Sequence, residues 1–242
     1  PIMKIIKVTP EGWDFPEFAP GQFVALGLPP DASRCKEATD EHEPPKEDKL
    51  IKRAYSIASA SSEDSVEFYI TLMHSGQLTP RLFDLNIGDK VFMGKKAVGM
   101  FRLDQVAEER NVVLIATGTG VAPYMSMLRS NALNRKGKIM IIHGAANSWD
   151  LGYSSELKLL ASMFPNFYYY PTITEPSKEP VGWDGDTRFI HEIWLDGIAM
   201  KKWGLTPKPE DTEFFLCGNP RMVDGMKEIL TEDGFKEHKK KD

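Results

Sequence analysis

Asn111-Val112-Val113-Leu114-Ile115-Ala116-Thr117-Gly118-Thr119-Gly120 is the stretch on which the reading of this 242-residue chain turns. Its first six residues carry no charge, and four of them are branched and apolar. Such a run suits a strand buried on both faces, as in a parallel sheet. Thr117-Gly118-Thr119-Gly120 then reads as a glycine turn leading into a helix around Pro123 to Asn134, with proline ordinary at a helix's first turn. Glycines let the backbone approach a ligand, and a helix start favours an anion. Strand, turn and helix in that order therefore suit a dinucleotide pyrophosphate, although a glycine turn alone says little.

Toward the carboxyl end the same grammar continues. Lys138 to His143 reads as a second buried strand, followed by a helix near Ser154 to Met163. Phe167 to Thr172 and Glu213 to Leu216 are further strands, and Arg221 to Leu230 is a last helix. Alternating strand and helix imply right-handed crossovers and an open, doubly wound parallel α/β sheet. Toward the amino end the grammar is different. Gln22 to Leu28, Ala54 to Ala58, Val66 to Met73 and Lys90 to Met93 are short β-rich runs punctuated by Pro20-Gly21 and Gly88-Asp89. They predict a small antiparallel β-barrel. The boundary falls at 103/104, giving one domain over 1–103 and another over 104–242. The polar segment from Pro29 to Lys49 reads as a poorly ordered, solvated loop between strands. The opening Pro1-Ile2-Met3-Lys4 already alternates like a strand, so residues are expected to precede it.

Bulk composition narrows the class. With 41% hydrophobic and 27% charged residues the chain is an ordinary globular one, and its net charge of −5 gives no footing for nucleic acid. No apolar run approaches the ~20 residues of a membrane span. The two cysteines, Cys35 and Cys217, fit no metal spacing, so no metal is expected and a reducing, cytoplasmic setting is the simplest reading.

Arg53-Ala54-Tyr55-Ser56 sits at the end of a predicted barrel strand. Alternation places Arg53 and Tyr55 on one face and Ala54 and Ser56 on the other. Arg53 can fork onto a diphosphate, Tyr55 can lie flat on an isoalloxazine ring, and Ser56 can reach the flavin N5 edge. Alone the string would be strand filler. Its companion is His74-Ser75-Gly76-Gln77-Leu78-Thr79-Pro80-Arg81, where amides at a helix start and the Thr79 hydroxyl offer an anion site. The plain alternative is a helix capped by Thr79. Cys217-Gly218-Asn219-Pro220 lies beyond a strand's carboxyl end, where open sheets bind ligands, which would put the thiol near a nicotinamide. A small buried cysteine is the commoner case. His143 reads as a satisfied core histidine, since hydride exchange between cofactors requires no acid or base there. The run Lys239-Lys240-Lys241 reads as a solvated tail.

Taken together with Gln22-Phe23, Tyr69-Ile70-Thr71-Leu72, His143-Gly144-Ala145, Asp150-Leu151-Gly152-Tyr153 and Tyr170-Pro171-Thr172-Ile173-Thr174, these strings resemble the ferredoxin–NADP reductase family of bacterial type. The resemblance covers nearly the whole chain from Pro20. It implies a FAD-binding barrel over 1–103 and an NAD(P)-binding α/β domain over 104–242. It also implies hydride transfer between NAD(P)H and FAD, one-electron exchange with ferredoxin or flavodoxin, and a monomer.

Carried over by residue, it puts Arg53, Ala54, Tyr55 and Ser56 on FAD, with Tyr69, Ile70, Thr71 and Leu72 lining it and Gly76, Gln77, Leu78 and Thr79 at its phosphates. Thr117 would lie between the two cofactors, while Gly118, Thr119, Gly120, Cys217 and Asn219 shape the nicotinamide nucleotide site. Tyr55, Ser56 and Cys217 are the expected catalytic residues. Relatives of this type carry arginines where this chain has Ala146 and, after Thr174, Glu175; Arg188 falls near a further family arginine. An acidic group beside a ribose suits free hydroxyls, so the nucleotide is either NADP(H) or NAD(H). Relatives also extend past residue 242 into an aromatic tail, and their Pro29–Lys49 loop is shorter. The alternatives are the NADH-dependent reductase component of an oxygenase and a nucleotide-binding module without turnover.

Overall fold

The computed structural model describes residues 3–15 and 17–238, and by contacts it divides into two compact units. The first comprises residues 1–103 together with Ala122–Ser130, and the second Asp104–Val121 with Asn131–Asp242.

The first unit is a small antiparallel barrel split into two sheets. In one, β1 (Met3–Val8) pairs with β4 (Val66–Thr71); in the other, β2 (Phe23–Leu28) lies between β3 (Ile51–Ser56) and β5 (Phe92–Met93). The sheets enclose Val24, Leu26, Leu28, Ile51, Ile57, Val66, Phe68, Ile70 and Met93, with Leu82 from helix α1 (Thr79–Asp84) and Leu78 just before it closing the core. Gly21 bends into β2 at φ +98°, and an added Cβ would lie 1.9 Å from the Phe101 carbonyl oxygen. Only glycine fits that turn.

The second unit is a four-stranded, all-parallel sheet in the order β8-β7-β6-β9. These strands are β6 (Asn111–Thr117), β7 (Ile139–Ala145), β8 (Phe167–Ile173) and β9 (Thr212–Cys217). Alternate residues Val113, Ile115, Met140, Ile142 and Tyr170 pack one face against helices α4 (Ile190–Leu195), α5 (Ile198–Trp203) and α6 (Pro220–Glu232). Helix α3 (Ser154–Met163), with Leu157 buried, accompanies β8.

Four segments differ from the sequence expectation. The helix after the glycine turn is α2 (Ala122–Ser130), and a separate 3-10 turn follows at Ala132–Asn134. By contacts α2 belongs to the first unit, because the Arg129 guanidinium reaches the carboxylate of Glu67 at 2.8 Å and the Ala58 carbonyl at 3.3 Å. Glu67 is buried and also meets Lys7 at 3.3 Å. Helices α4 and α5 were not expected at all. Each has six residues, too few to show a helical period, and left-handed glycines at Gly197 and Gly204 bound the second. The Pro29–Lys49 segment is the largely exposed loop between strands that was expected, but it is tied down: buried Arg81 binds the Glu41 carboxylate at 2.5 Å and the Pro30 carbonyl at 2.6 Å. Its backbone joins the 74–80 stretch through Cys35 N–H to the Pro80 carbonyl and Thr39 N–H to the His74 carbonyl. The expectations about Pro1 and Lys239–Lys241 lie outside the described residues.

Candidate functional site

In the first unit, β3 pairs with β2 so that Arg53 lies opposite Leu26 and Tyr55 opposite Val24, while Ala54 and Ser56 face Ala25 and Phe23. Arg53 and Tyr55 therefore share the face that bears the core leucine and valine. Arg53 is nonetheless exposed, and among the described residues its hydrogen bonds go to neutral acceptors, the Gln77 side-chain oxygen at 3.0 Å and the Lys52 carbonyl at 2.8 Å. Tyr55 is half-buried against the core, and burial pushes its phenol up to about 12, against the opposing pull of Arg53. It remains a neutral ring at any working pH. On β4, Tyr69 and Ile70 are buried, as is Leu72 just beyond, with Thr71 half-buried. Little but their backbone is available at that edge.

The turn before α1 is built differently from the expectation. The helix begins behind Leu78 without a side-chain cap. Thr79 turns its hydroxyl back instead, accepting from Met73 N–H at 2.9 Å and donating to the Met73 carbonyl at 3.3 Å. Thr79 thus closes the loop around Gly76 instead of capping the helix, and the Gly76 N–H also meets the Met73 carbonyl at 2.8 Å. Gln77 extends outward and donates to the Glu43 carbonyl at 3.0 Å, linking Arg53 to the long polar segment. His42 of that segment meets Ser75 at 3.0 Å. Nothing in its composition foretold this packing; Arg81, whose charge needs a buried partner among acidic loop residues, is the one signal that could have.

In the second unit the glycine turn and the Cys217 loop are packed back to back. β6 and β9 set Ala116 beside Cys217. Beyond them the Thr117 hydroxyl accepts the Asn219 N–H at 2.6 Å, and an added Cβ on Gly120 would stand 2.3 Å from the Cys217 carbonyl oxygen. Gly218, at φ +136°, would likewise strike the Thr117 hydroxyl at 2.2 Å. Gly120 is therefore required by the neighbouring strand's backbone, whereas Gly118 supplies the left-handed bend at φ +51°. The whole Gly118–Val121 segment is a 3-10 turn ahead of α2. Asn219 caps α6, its side-chain oxygen accepting from Arg221 N–H at 2.9 Å. The Cys217 thiol, raised to about 11 by burial, is neutral rather than a thiolate.

His143 supports this turn from within. It is fully buried on β7, with Nε2 3.0 Å from the Gly118 carbonyl oxygen and Nδ1 3.3 Å from the Tyr169 hydroxyl. A carbonyl only accepts, so Nε2 carries the proton and Nδ1 accepts from the tyrosine. Burial holds the imidazole down to about 4, with the Gly118 bond acting in the opposite sense.

Further along the carboxyl edge, the ends of β7 and β8 are zipped together. Thr174 N–H donates to the Ala145 carbonyl at 3.0 Å and Glu175 N–H to the Ala146 carbonyl at 2.8 Å. Glu175 pairs with Lys178. Arg188 runs alongside, its carbonyl accepting from the Thr172 hydroxyl at 2.7 Å. Its guanidinium binds Asp186 through Nε at 2.9 Å and Nη2 at 2.5 Å, and Asp196 through Nη1 at 2.5 Å.

Comparison with known proteins gives these features a class. The family model described as an oxidoreductase NAD-binding domain matches residues 114–228. The flavodoxin/ferredoxin–NADP reductase of Buchnera aphidicola subsp. Baizongia pistaciae is 31% identical over 223 residues, covering 91% of this chain and 82% of that protein. The ferredoxin–NADP reductase of Azotobacter vinelandii is 29% identical over 228 residues, 90% of this chain and 79% of its own length. A crystal structure of a ferredoxin NADP+ reductase from Neisseria gonorrhoeae with bound FAD and NADP superposes at a TM-score of 0.81 and 23% identity, covering 99% of this chain and 88% of that one. This chain belongs to the flavodoxin/ferredoxin–NADP reductase family.

Proposed function

We propose that the protein is a FAD-dependent reductase that moves hydride between NAD(P)H and FAD and exchanges single electrons with ferredoxin or flavodoxin, as a monomer in the cytoplasm. The observation that carries the reading is the 31% identity across 91% of the chain, which necessarily spans both units. The strand bearing Arg53, Tyr55 and Ser56 and the turn braced against Cys217 thus come to this chain as one inheritance.

The residues present fit both groups. An exposed guanidinium that spends its bonds on neutral acceptors is available to a diphosphate, and Gln77 beside it offers an amide. FAD would be held by Arg53, Ala54, Tyr55 and Ser56, by the backbone of Tyr69 to Leu72, and at its phosphates by the loop from Gly76 to Thr79. The nucleotide would be held by Thr117 to Gly120, Cys217 and Asn219, with Ala146, Thr174, Glu175 and Arg188 around the ribose. Residues 1–103 then form the flavin domain and 104–242 the nucleotide domain, α2 sharing its contacts with the former.

When bound, FAD supplies hydride exchange with the nicotinamide and one-electron exchange with the protein partner. The chain's own contribution is positional. A neutral Tyr55 ring offers a flat apolar face, and the Ser56 hydroxyl offers a donor. Cys217, protonated at neutral pH, adds a small uncharged surface that does not compete as a nucleophile. Gly118 is already in its left-handed bend, so the turn would take a pyrophosphate without rearranging, while Gly120 keeps that turn packed on Cys217. Anaerobic titration of the purified yellow protein with NADPH and NADH, followed by flavin absorbance, tests the reading; a flavin that neither nucleotide bleaches would end it. Arg53→Ala should lower retained FAD, and unchanged flavin content would show that the cation has another task.

A further inference from the structure

The two arginines assigned to ligands differ in one respect. Arg53 bonds to neutral oxygens, whereas Arg188 is held between two carboxylates, Asp186 at 2.5 Å and Asp196 at 2.5 Å. Side-chain exposures of 32% for Arg188 and 10% for Asp186 leave the first pair partly shielded from water. Tyr170 adds its hydroxyl to the same Asp186 oxygen at 2.7 Å, fixing that carboxylate in place. Arg188, Asp186 and Asp196 together carry one net negative charge.

Among the described residues, the lysines beside this edge lie over aromatic rings: Lys158 is 6.0 Å from the Trp183 centroid and Lys202 5.0 Å from that of Tyr170. β7 runs out into Ala146 and Asn147, and the Asn147 amide is spent on the Glu175 carbonyl at 3.1 Å. Lys178 is paired with Glu175, and Glu179 points inward to accept from Ser148 N–H at 2.7 Å and its hydroxyl at 2.6 Å. The field reaches buried Asp150, whose carboxyl is pushed upward first by burial and then by Glu179 and Glu175. A ribose with free hydroxyls needs only acceptors at a strand end, whereas a 2′-phosphate needs an arginine. A phosphate monoester brings about −1.5 to −2 charges at neutral pH. Around this edge it would meet Arg188 already held by two carboxylates and Lys178 already held by Glu175.

Resting on the reductase reading, we propose that the nucleotide site selects NADH over NADPH, with the Asp186–Arg188–Asp196 triad and Glu175 as its specificity-determining residues. The triad withdraws the arginine that a 2′-phosphate would require, and Glu175, although ion-paired with Lys178, puts a carboxylate rather than a cation beside the ribose.

The test compares kcat/KM for NADH and NADPH with ferricyanide as electron acceptor, and measures calorimetric affinity for 5′-AMP and 2′,5′-ADP on the same holoenzyme. The expected result is a kcat/KM at least about ten-fold higher for NADH, a difference of about 1.4 kcal/mol. 5′-AMP is expected to bind at least as tightly as 2′,5′-ADP. Asp196→Asn, at a side chain 59% exposed, unties one end of Arg188. Together with Glu175→Arg it should move the NADPH/NADH ratio upward by about ten-fold or more, mainly through KM for NADPH. A wild-type preference for NADPH, or tighter binding of 2′,5′-ADP, overturns the inference while leaving the reductase reading intact. Failure of both nucleotides to reduce the flavin overturns the reductase reading; the affinities of the two adenosine phosphates still decide the selectivity.

Discussion

His143→Gln probes how the nucleotide turn is held. His143 is fully buried, and its folded affinity for a proton is depressed from 6.5 to about 4. Between those values the unfolded chain takes up a proton that the native imidazole refuses, so stability must fall as pH drops through that window. The contribution is complete above pH 6.5 and gone below pH 4; at about 1.36 kcal/mol per pH unit it amounts to about 3 kcal/mol. At pH 4.5 about 2.5 kcal/mol of it should be lost, lowering the melting temperature by about 5–10 °C. Glutamine keeps a donor for the Gly118 carbonyl but does not titrate. Thermal unfolding of both proteins at pH 7.5 and 4.5, taken as a double difference, cancels what all other groups contribute. The wild type should lose about 2.5 kcal/mol more than the variant on acidification. Parallel losses would show that the imidazole ionises freely in the folded state, and the burial argument would be wrong. At pH 7.5 the glutamine variant should keep its kcat, with a change confined to KM for the nucleotide.

Gly120→Ala should be severely destabilising and abolish nucleotide binding, because its Cβ would sit 2.3 Å from the Cys217 carbonyl oxygen; a variant with normal KM would show that the two loops are free to separate. Thr117→Val removes the acceptor of the Asn219 N–H at 2.6 Å and should cost about 1–3 kcal/mol, read by urea unfolding. Arg129→Met removes from buried Glu67 the guanidinium that meets it at 2.8 Å, an expected loss of about 3–5 kcal/mol. That loss should shrink in Arg129→Met/Glu67→Gln, and a double variant no better than the single would refute the charge argument.

The sequence by itself determined the class of each half and the order of the strings that carry the chemistry. Buried parallel strands announce themselves as unbroken apolar runs, as Val112 to Ala116 does, and turns that need glycine can be read from composition. What tertiary structure decided are the partnerships between segments distant in the chain. Gly120 looks like a ligand-facing glycine, yet the strand ending at Cys217 is what forbids it a side chain. Thr79 looks like a cap, yet it closes a loop onto Met73. The polar segment from Pro29 to Lys49 has the composition of solvated chain, and it is tied down by the burial of Arg81 against Glu41 together with backbone bonds to the 74–80 stretch. Arg188 is legible as a cation at a nucleotide site, but whether its charge is available depends on Asp186 and Asp196 folding onto it. Short-range pattern fixes where apolar surface must go; which polar group meets which is a matter of distances between segments, and those exist only once the core has closed.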